Sequence, residues 1–186
     1  YGVTNPTKAG TYTIAVTTTK DPDAATDSVT IQAADPAKLA IDVNALDEDA
    51  SKDGTQVTAG SSKSVTVKLT DQYGNEANAA SAITVKLSDT AGFEGSGTIA
   101  GGSSSTTISW DVPQKVGTYT LTAEDVTEGV ATKMQAASVS VEVIAAAPTK
   151  ADITGPGYLD VNQEGTYTIT LKDANDNVAK ASSDLS

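Results

Sequence analysis

The run Val65-Thr66-Val67-Lys68-Leu69-Thr70-Asp71-Gln72-Tyr73-Gly74-Asn75 and the run Ile83-Thr84-Val85-Lys86-Leu87 that follows it decide the fold. In both runs apolar and polar residues alternate, which is the period of a strand with one buried face. The residues from Asp71 to Asn75 are types that favour tight turns. The two runs therefore predict two strands of one β-structure, with a turn between them.

The same alternation continues outward, and turn residues separate the runs. It recurs in Ile108 and Trp110, in Tyr119, Leu121 and Ala123, and in Val139, Val141 and Val143. Convincing helical spacing is missing throughout. Short strands with frequent turns predict an all-β protein of tandem immunoglobulin-like β-sandwich domains with Greek-key antiparallel sheets.

Three segments recur in the same order after about a hundred residues, the size of one immunoglobulin-like domain. The pairs are Pro6–Ile14 with Pro113–Leu121, Val29–Lys38 with Val141–Lys150, and Val67–Asn75 with Ile169–Asn177. They predict that residues 1–34 are the closing strands of one domain, 35–145 a complete domain and 146–186 the opening strands of a third. Proline near each predicted boundary, Pro36 and Pro148, indicates short and stiff connections.

Half-sandwiches expose sheet edges, so we expect residues 1–34 and 146–186 to be covered. Two alternatives stay open. The opening strands of one copy could complete the closing strands of another in a head-to-tail filament, or the sequence could be part of a longer chain.

Single residues in these runs have predicted structural roles. Tyr12 and Tyr119 each follow a glycine by two positions, as in the tyrosine corner of immunoglobulin-like sandwiches. Trp110 is predicted to fill the core, and Tyr73 to be exposed at the tip of its turn. In the second copy of the turn Asp176 stands where the first has Gly74, so the same conformation is not assured.

The segment from Asp173 to Asn177 has two interpretations. Its acidic and amide residues resemble the calcium linker of cadherins, which would place a domain boundary after it. Its alignment with Asp71 to Asn75 instead predicts a turn inside a domain, and this is the interpretation we favour.

The charge composition excludes several classes of function. Twenty-four acidic residues face twelve basic ones, all of them lysine, and the net charge is −12. Nucleic-acid binding requires a basic face, and docking on an anionic membrane has the same requirement. Histidine and cysteine are absent, so the commonest acid–base and nucleophilic groups are missing and we expect no enzymatic activity.

The densest acidic run lies between residues 42 and 53. Asp47, Glu48, Asp49 and Asp53 offer hard oxygen ligands at a spacing that could hold Ca²⁺. The spacing does not match an EF-hand loop, and a solvated acidic loop is the alternative. Calcium is thus a possible ligand here but not a required cofactor.

The strand-turn-strand from Val65 to Leu87 and the later Gly117-Thr118-Tyr119-Thr120-Leu121 resemble bacterial immunoglobulin-like repeats. Such repeats occur in surface-layer (S-layer) proteins of Gram-positive bacilli and in invasin-type adhesins. The resemblance covers essentially the whole chain, but its motifs specify a scaffold and not an activity.

The resemblance implies a structural segment of a secreted, self-assembling surface-layer protein on the bacterial cell wall. The expected partners are other copies and neighbouring immunoglobulin-like domains, with no nucleic acid and no membrane insertion. Two alternatives remain: the stalk of an invasin-like adhesin, and an accessory module of a secreted carbohydrate-active enzyme.

Overall fold

The structure, a computed structural model, describes residues 6–17, 25–44, 46–48 and 55–181. In these ranges the chain forms twelve strands: β1 (Gly10–Val16), β2 (Ala25–Ile31), β3 (Lys38–Asp42), β4 (Thr55–Thr58), β5 (Ser62–Thr70), β6 (Ile83–Asp89), β7 (Glu94–Ile99), β8 (Ser105–Asp111), β9 (Gly117–Asp125), β10 (Ala137–Ile144), β11 (Lys150–Thr154) and β12 (Thr168–Lys172). None of the described residues belongs to a helix long and apolar enough to cross a membrane. The prediction of an all-β protein is confirmed.

Strands β3 to β10 form two facing sheets, which we call the central sandwich. One sheet has the order β3-β5-β8 and the other has the order β4-β10-β9-β6-β7. Because successive strands such as β5 and β6, or β8 and β9, belong to opposite sheets, the connections cross between the layers as in a Greek key.

One pairing differs from the predicted antiparallel pattern. Strand β4 lies parallel to β10, with Thr55 opposite Val141 and Thr58 opposite Ile144. Strand β3 lies at one edge of the first sheet, and β4 lies at the edge of the second sheet next to β10. Strands β3 and β4 thus each form an edge of one sheet.

The apolar residues that alternate along the facing strands fill one core, as the sequence predicts. Trp110 is fully buried, and its indole Nε1 donates a hydrogen bond to Oδ2 of Asp89 on the opposite sheet at 2.9 Å. The predicted core role of Trp110 is therefore confirmed. Around it lie the buried side chains of Val57, Val65, Val67, Leu69, Val85, Leu87, Ile99, Leu121, Val141 and Val143.

The remaining strands form two separate antiparallel hairpins, β1–β2 before the central sandwich and β11–β12 after it. Their apolar faces are open. Ile14 is 44% exposed whereas its equivalent Leu121 is buried, and Ile169 is 58% exposed whereas its equivalent Val67 is buried. Each hairpin therefore exposes apolar side chains whose equivalents in the central sandwich are covered by the opposite sheet.

Candidate functional site: two equivalent joints

The turn that follows β5 is built around one buried carboxylate. Asp71 is 1% exposed, and its Oδ1 accepts the backbone N–H groups of Tyr73 and Asn75, both at 2.9 Å. Gly74 takes a left-handed conformation, with φ of 86°, which glycine adopts without steric cost. Tyr73 is exposed at the tip of the turn, as the sequence predicts.

The remaining polar atoms of this turn reach out of the central sandwich towards the β1–β2 hairpin. Oδ2 of Asp71 accepts the N–H of Ala34, in the segment between β2 and β3, at 3.0 Å. Oδ1 of Asn75 accepts the N–H of Ala9, and Nδ2 of Asn75 donates to the carbonyl of Thr7, both at 2.8 Å. These three bonds form what we call the first joint.

The turn that follows β12 repeats this arrangement towards the central sandwich. Oδ1 of Asp173 accepts the backbone N–H groups two and four residues further on, and its Oδ2 accepts the N–H of Ala146 at 3.1 Å. Oδ1 of Asn177 accepts the N–H of Val116 at 3.2 Å, while Nδ2 donates to the carbonyl of Gln114 at 2.8 Å. This second joint uses the equivalent atom of the equivalent residue in every bond.

Asp176 keeps the turn conformation of Gly74 in the second joint, with φ of 63°. A side chain in this region costs roughly 1–2 kcal/mol, although aspartate tolerates it better than most residues. Its carboxylate contacts Nζ of Lys150 at 2.8 Å. The substitution therefore changes the residue without changing the turn.

The second joint has further contacts around Asn175. Nζ of Lys115 donates to the carbonyl of Asn175 at 2.7 Å. A Cβ added at Gly60, whose φ is 70°, would lie 2.8 Å from Nδ2 of Asn175. Glycine at this turn of the central sandwich thus permits the close approach of the following turn.

Burial raises the pKa of Asp71, but the hydrogen bonds from Asn75, Ala34 and Tyr73 outweigh burial and lower the pKa to about 2. Burial also raises the pKa of Asp173, but the equivalent hydrogen bonds from Asn177, Ala146 and Asn175 outweigh it and lower the pKa. Every one of these donors favours the ionised carboxylate.

The first joint should consequently resist moderate acid. Because the folded-state pKa of Asp71 lies below the ordinary value of 3.8, its contribution is complete above that pH and is lost as the pH falls through about 2. We expect the amide chemical shift of Ala34 to titrate with a midpoint near 2. A midpoint near 3.8 would show that the carboxylate is not held by these donors.

The acidic run predicted to bind calcium is only partly within the described residues. Asp47 accepts the N–H of Gln56 at 3.0 Å, and Glu48 pairs with Lys63 and accepts a hydrogen bond from Thr58. Asp49 and Asp53 lie outside the described residues. In the described part of the chain no three acidic residues are grouped so that they could hold a metal ion, so calcium at this run stays a prediction.

A groove lies along each joint, but its chemistry is not repeated. At the first joint it is lined by Asp35 and Glu76, and at the second joint the equivalent positions are Ala147 and Val178. The hydrogen-bonding turn is therefore the common feature of the two joints, whereas the groove beside it has no common ligand chemistry.

No protein-family model matches the chain. No curated protein matches it either. Among solved structures the chain is similar to surface layer protein SbsC, domains 1–6, with 19% identity and a TM-score of 0.33. The match covers 93% of this chain and 21% of that one, so the chain spans about a fifth of that structure's length.

Sequence reasoning placed the turns but missed the joints. Asp173 to Asn177 form a turn, as the alignment with Asp71 to Asn75 predicts, and its side chains also bind the preceding element. Asp173 accepts the N–H of Ala146, and Asn177 donates to the carbonyl of Gln114. The available signal was the shared spacing of Asp71 with Asn75 and of Asp173 with Asn177. The segments that begin at Pro6 and Pro113 contain the backbone partners of the two asparagines, but the sequence shows them only as a repeat.

Proposed function

We propose that the chain is a structural segment of a secreted, self-assembling bacterial surface layer, built from immunoglobulin-like modules in a row and without enzymatic activity. The modules would be 1–34, 35–145 and 146–186, the first and last being partial. The observation that carries this proposal is that the same joint occurs twice, with every bond repeated at equivalent positions. A joint that is repeated at both predicted module boundaries points to a role in holding successive modules together.

A fixed joint is what an ordered array requires. Contacts between copies can form in register only when every copy holds the same shape, and a flexible string would lose entropy at each contact. In both joints a buried aspartate and an asparagine fix the following turn against the backbone of the preceding element. We propose that this removes most of the freedom of the short connection.

The surface charge suits assembly through many weak contacts. Lysines lie beside acidic residues on the sheet faces, as in Lys68 with Asp42 at 2.7 Å and Lys86 with Glu94 at 2.5 Å. Such exposed pairs contribute little to stability, but the net charge of −12 leaves many carboxylates without a lysine to pair with. We propose that divalent cations bridge acidic faces of neighbouring copies, or bind at Asp47, Glu48, Asp49 and Asp53.

Calcium should therefore act between copies and not within the joints. The four oxygens of Asp71 and Asp173 already accept N–H groups, so these residues have little capacity for a cation. We expect a chelator to dissolve assemblies while hydrogen exchange at Ala34 and Ala146 stays unchanged. Loss of protection at these two amides on chelation would contradict this assignment, and assemblies indifferent to both calcium and chelator would remove the bridging role.

Electron microscopy of the purified chain tests the array directly. We expect periodic sheets or filaments from the wild-type protein, and loss of order when Asn75 and Asn177 are both replaced by leucine. Asn78→Leu, an exposed asparagine on the same connection, is the matched control and should assemble normally. A wild-type chain that remains monomeric at every protein and calcium concentration would contradict the array.

That negative result would favour the second candidate, the stalk of an adhesin. A rigid row with no ligand groove of repeated chemistry would also hold a binding domain at a distance from the cell. The stalk needs the joints but needs no contact between copies. Solution scattering would then show a stiff monomeric rod.

A further inference from the structure

The tyrosine corners lie directly beside the joints. The hydroxyl of Tyr12 donates to the carbonyl of Lys8 at 2.8 Å, and the hydroxyl of Tyr119 donates to the carbonyl of Lys115 at 3.0 Å. The predicted tyrosine corners are thus confirmed. Lys8 lies between Thr7 and Ala9, which bond Asn75. Lys115 lies in the same way between Gln114 and Val116, which bond Asn177.

Neighbouring backbone groups of the same loop therefore bond two different side chains, the asparagine and the tyrosine. The carbonyl of Gln114 and the N–H of Val116 face Asn177, while the carbonyl of Lys115 faces Tyr119. The chain bends at Gln114 and Lys115, so successive backbone groups of the loop face different partners. The tyrosine holds one side of the loop and so fixes the direction of the groups on the other side.

The hydrogen bonds between the asparagine and this loop go to main-chain atoms. Thr7 and Ala9 at the first joint are replaced by Gln114 and Val116 at the second, yet the same two bonds are made. One N–H of the asparagine amide donates to the aspartate of the same turn. Its other N–H and its carbonyl oxygen face the loop, where they match a backbone carbonyl and N–H in the way that a neighbouring strand would. The hydrogen bonds of the asparagine therefore depend on the backbone conformation of the loop, and the Lys115 side chain adds a separate bond to Asn175 at the second joint.

We propose that the loop before each tyrosine corner is a docking surface whose partner is the Asp-x-x-x-Asn turn of the following module, and that this surface tolerates side-chain changes at the two positions that bond the asparagine. Tyr12 and Tyr119 are positioning residues that act through the loop backbone. Modules that keep the tyrosine and the asparagine can then be exchanged in order along the row. The inference rests on the proposed modular role but needs no assembly between copies.

Amide hydrogen exchange of the whole chain in solution separates these roles. Tyr119→Phe removes only the hydroxyl, and we expect it to lower protection at the Val116 amide by about tenfold, the factor that corresponds to one net hydrogen bond. The Ala9 amide at the unchanged first joint is the internal control. The Val67 amide in β5 reports the stability of the central sandwich. A merely structural tyrosine would lower Val116 and Val67 by the same factor, and this result would overturn the positioning role.

A second variant tests the tolerance of the loop. Gln114→Thr combined with Val116→Ala gives the second joint the side chains of the first, and we expect protection of the amide at position 116 to change by less than about threefold, below the worth of a single hydrogen bond. A loss of about tenfold or more there, with Val67 unchanged, would show that the side chains are recognised and would overturn the proposal. Because the measurement is made on the dispersed protein, a failed array leaves its outcome unaffected.

Discussion

Replacing Trp110 by alanine is expected to lower the free energy of unfolding of the central sandwich by about 3–5 kcal/mol, the usual cost of deleting a large buried aromatic side chain. The ring is fully buried between the two sheets, and the chain has a single tryptophan. The change would leave a cavity that the surrounding β-branched and leucine side chains cannot fill by a rotamer change. Urea unfolding followed by circular dichroism measures the loss without relying on tryptophan fluorescence.

The Trp110→Phe variant separates the contribution of the buried ring from that of the hydrogen bond to Asp89. It keeps an aromatic ring but removes the Nε1 donor to Asp89, whose other oxygen accepts the N–H groups of Ala91 and Phe93. We expect an intermediate loss, because Asp89 keeps two of its three donors. A loss below about 1 kcal/mol for Trp110→Ala would contradict a core centred on this residue.

Replacing Asn177 by leucine is expected to uncouple the second joint without unfolding the central sandwich. The side chain is 4% exposed and makes bonds to Val116, Gln114 and Asp173. Leucine has the same branching at Cγ but no polar atoms, so it leaves these groups without a partner, at about 1–3 kcal/mol for each one that water cannot reach. Because Asn177 lies outside the sandwich, the cost should fall on the joint.

The measurement is the protection of the Val116 amide compared with that of Val67 in β5. We expect a large fall at Val116 and little change at Val67, and Asn75→Leu should act in the same way on Ala9 at the first joint. Asn78→Leu supplies the control for an exposed asparagine. Equal loss at Val116 and Val67 would mean that Asn177 stabilises the sandwich itself and does not belong to a joint.

The strands could be predicted because their signal is local. Alternation from Val65 to Leu69 and from Ile83 to Leu87 decides which face is buried, whatever the partner strand is. Trp110 and Tyr119 could be placed for the same reason. The parallel pairing of β4 with β10 could not, since Thr55 to Thr58 reveals nothing locally about which sheet edge it joins.

The joints were beyond sequence reasoning for a different reason. The bonds from Asn75 to Thr7 and from Asn177 to Gln114 connect residues that are far apart in sequence, and they involve backbone groups that any residue carries. The repeat placed Asp71 and Asp173 in turns, but it could not show that one carboxylate oxygen faces outward to Ala34 or Ala146. The tertiary arrangement alone reveals that the turn also holds the preceding element.

Residual dipolar couplings measured on the whole chain test the central claim most directly. If the two joints fix their neighbours, the couplings of β1–β2, the central sandwich and β11–β12 should fit a single alignment tensor in the arrangement described. Separate tensors for the three elements, with reduced magnitude for the hairpins, would show that the elements move independently and would contradict the account.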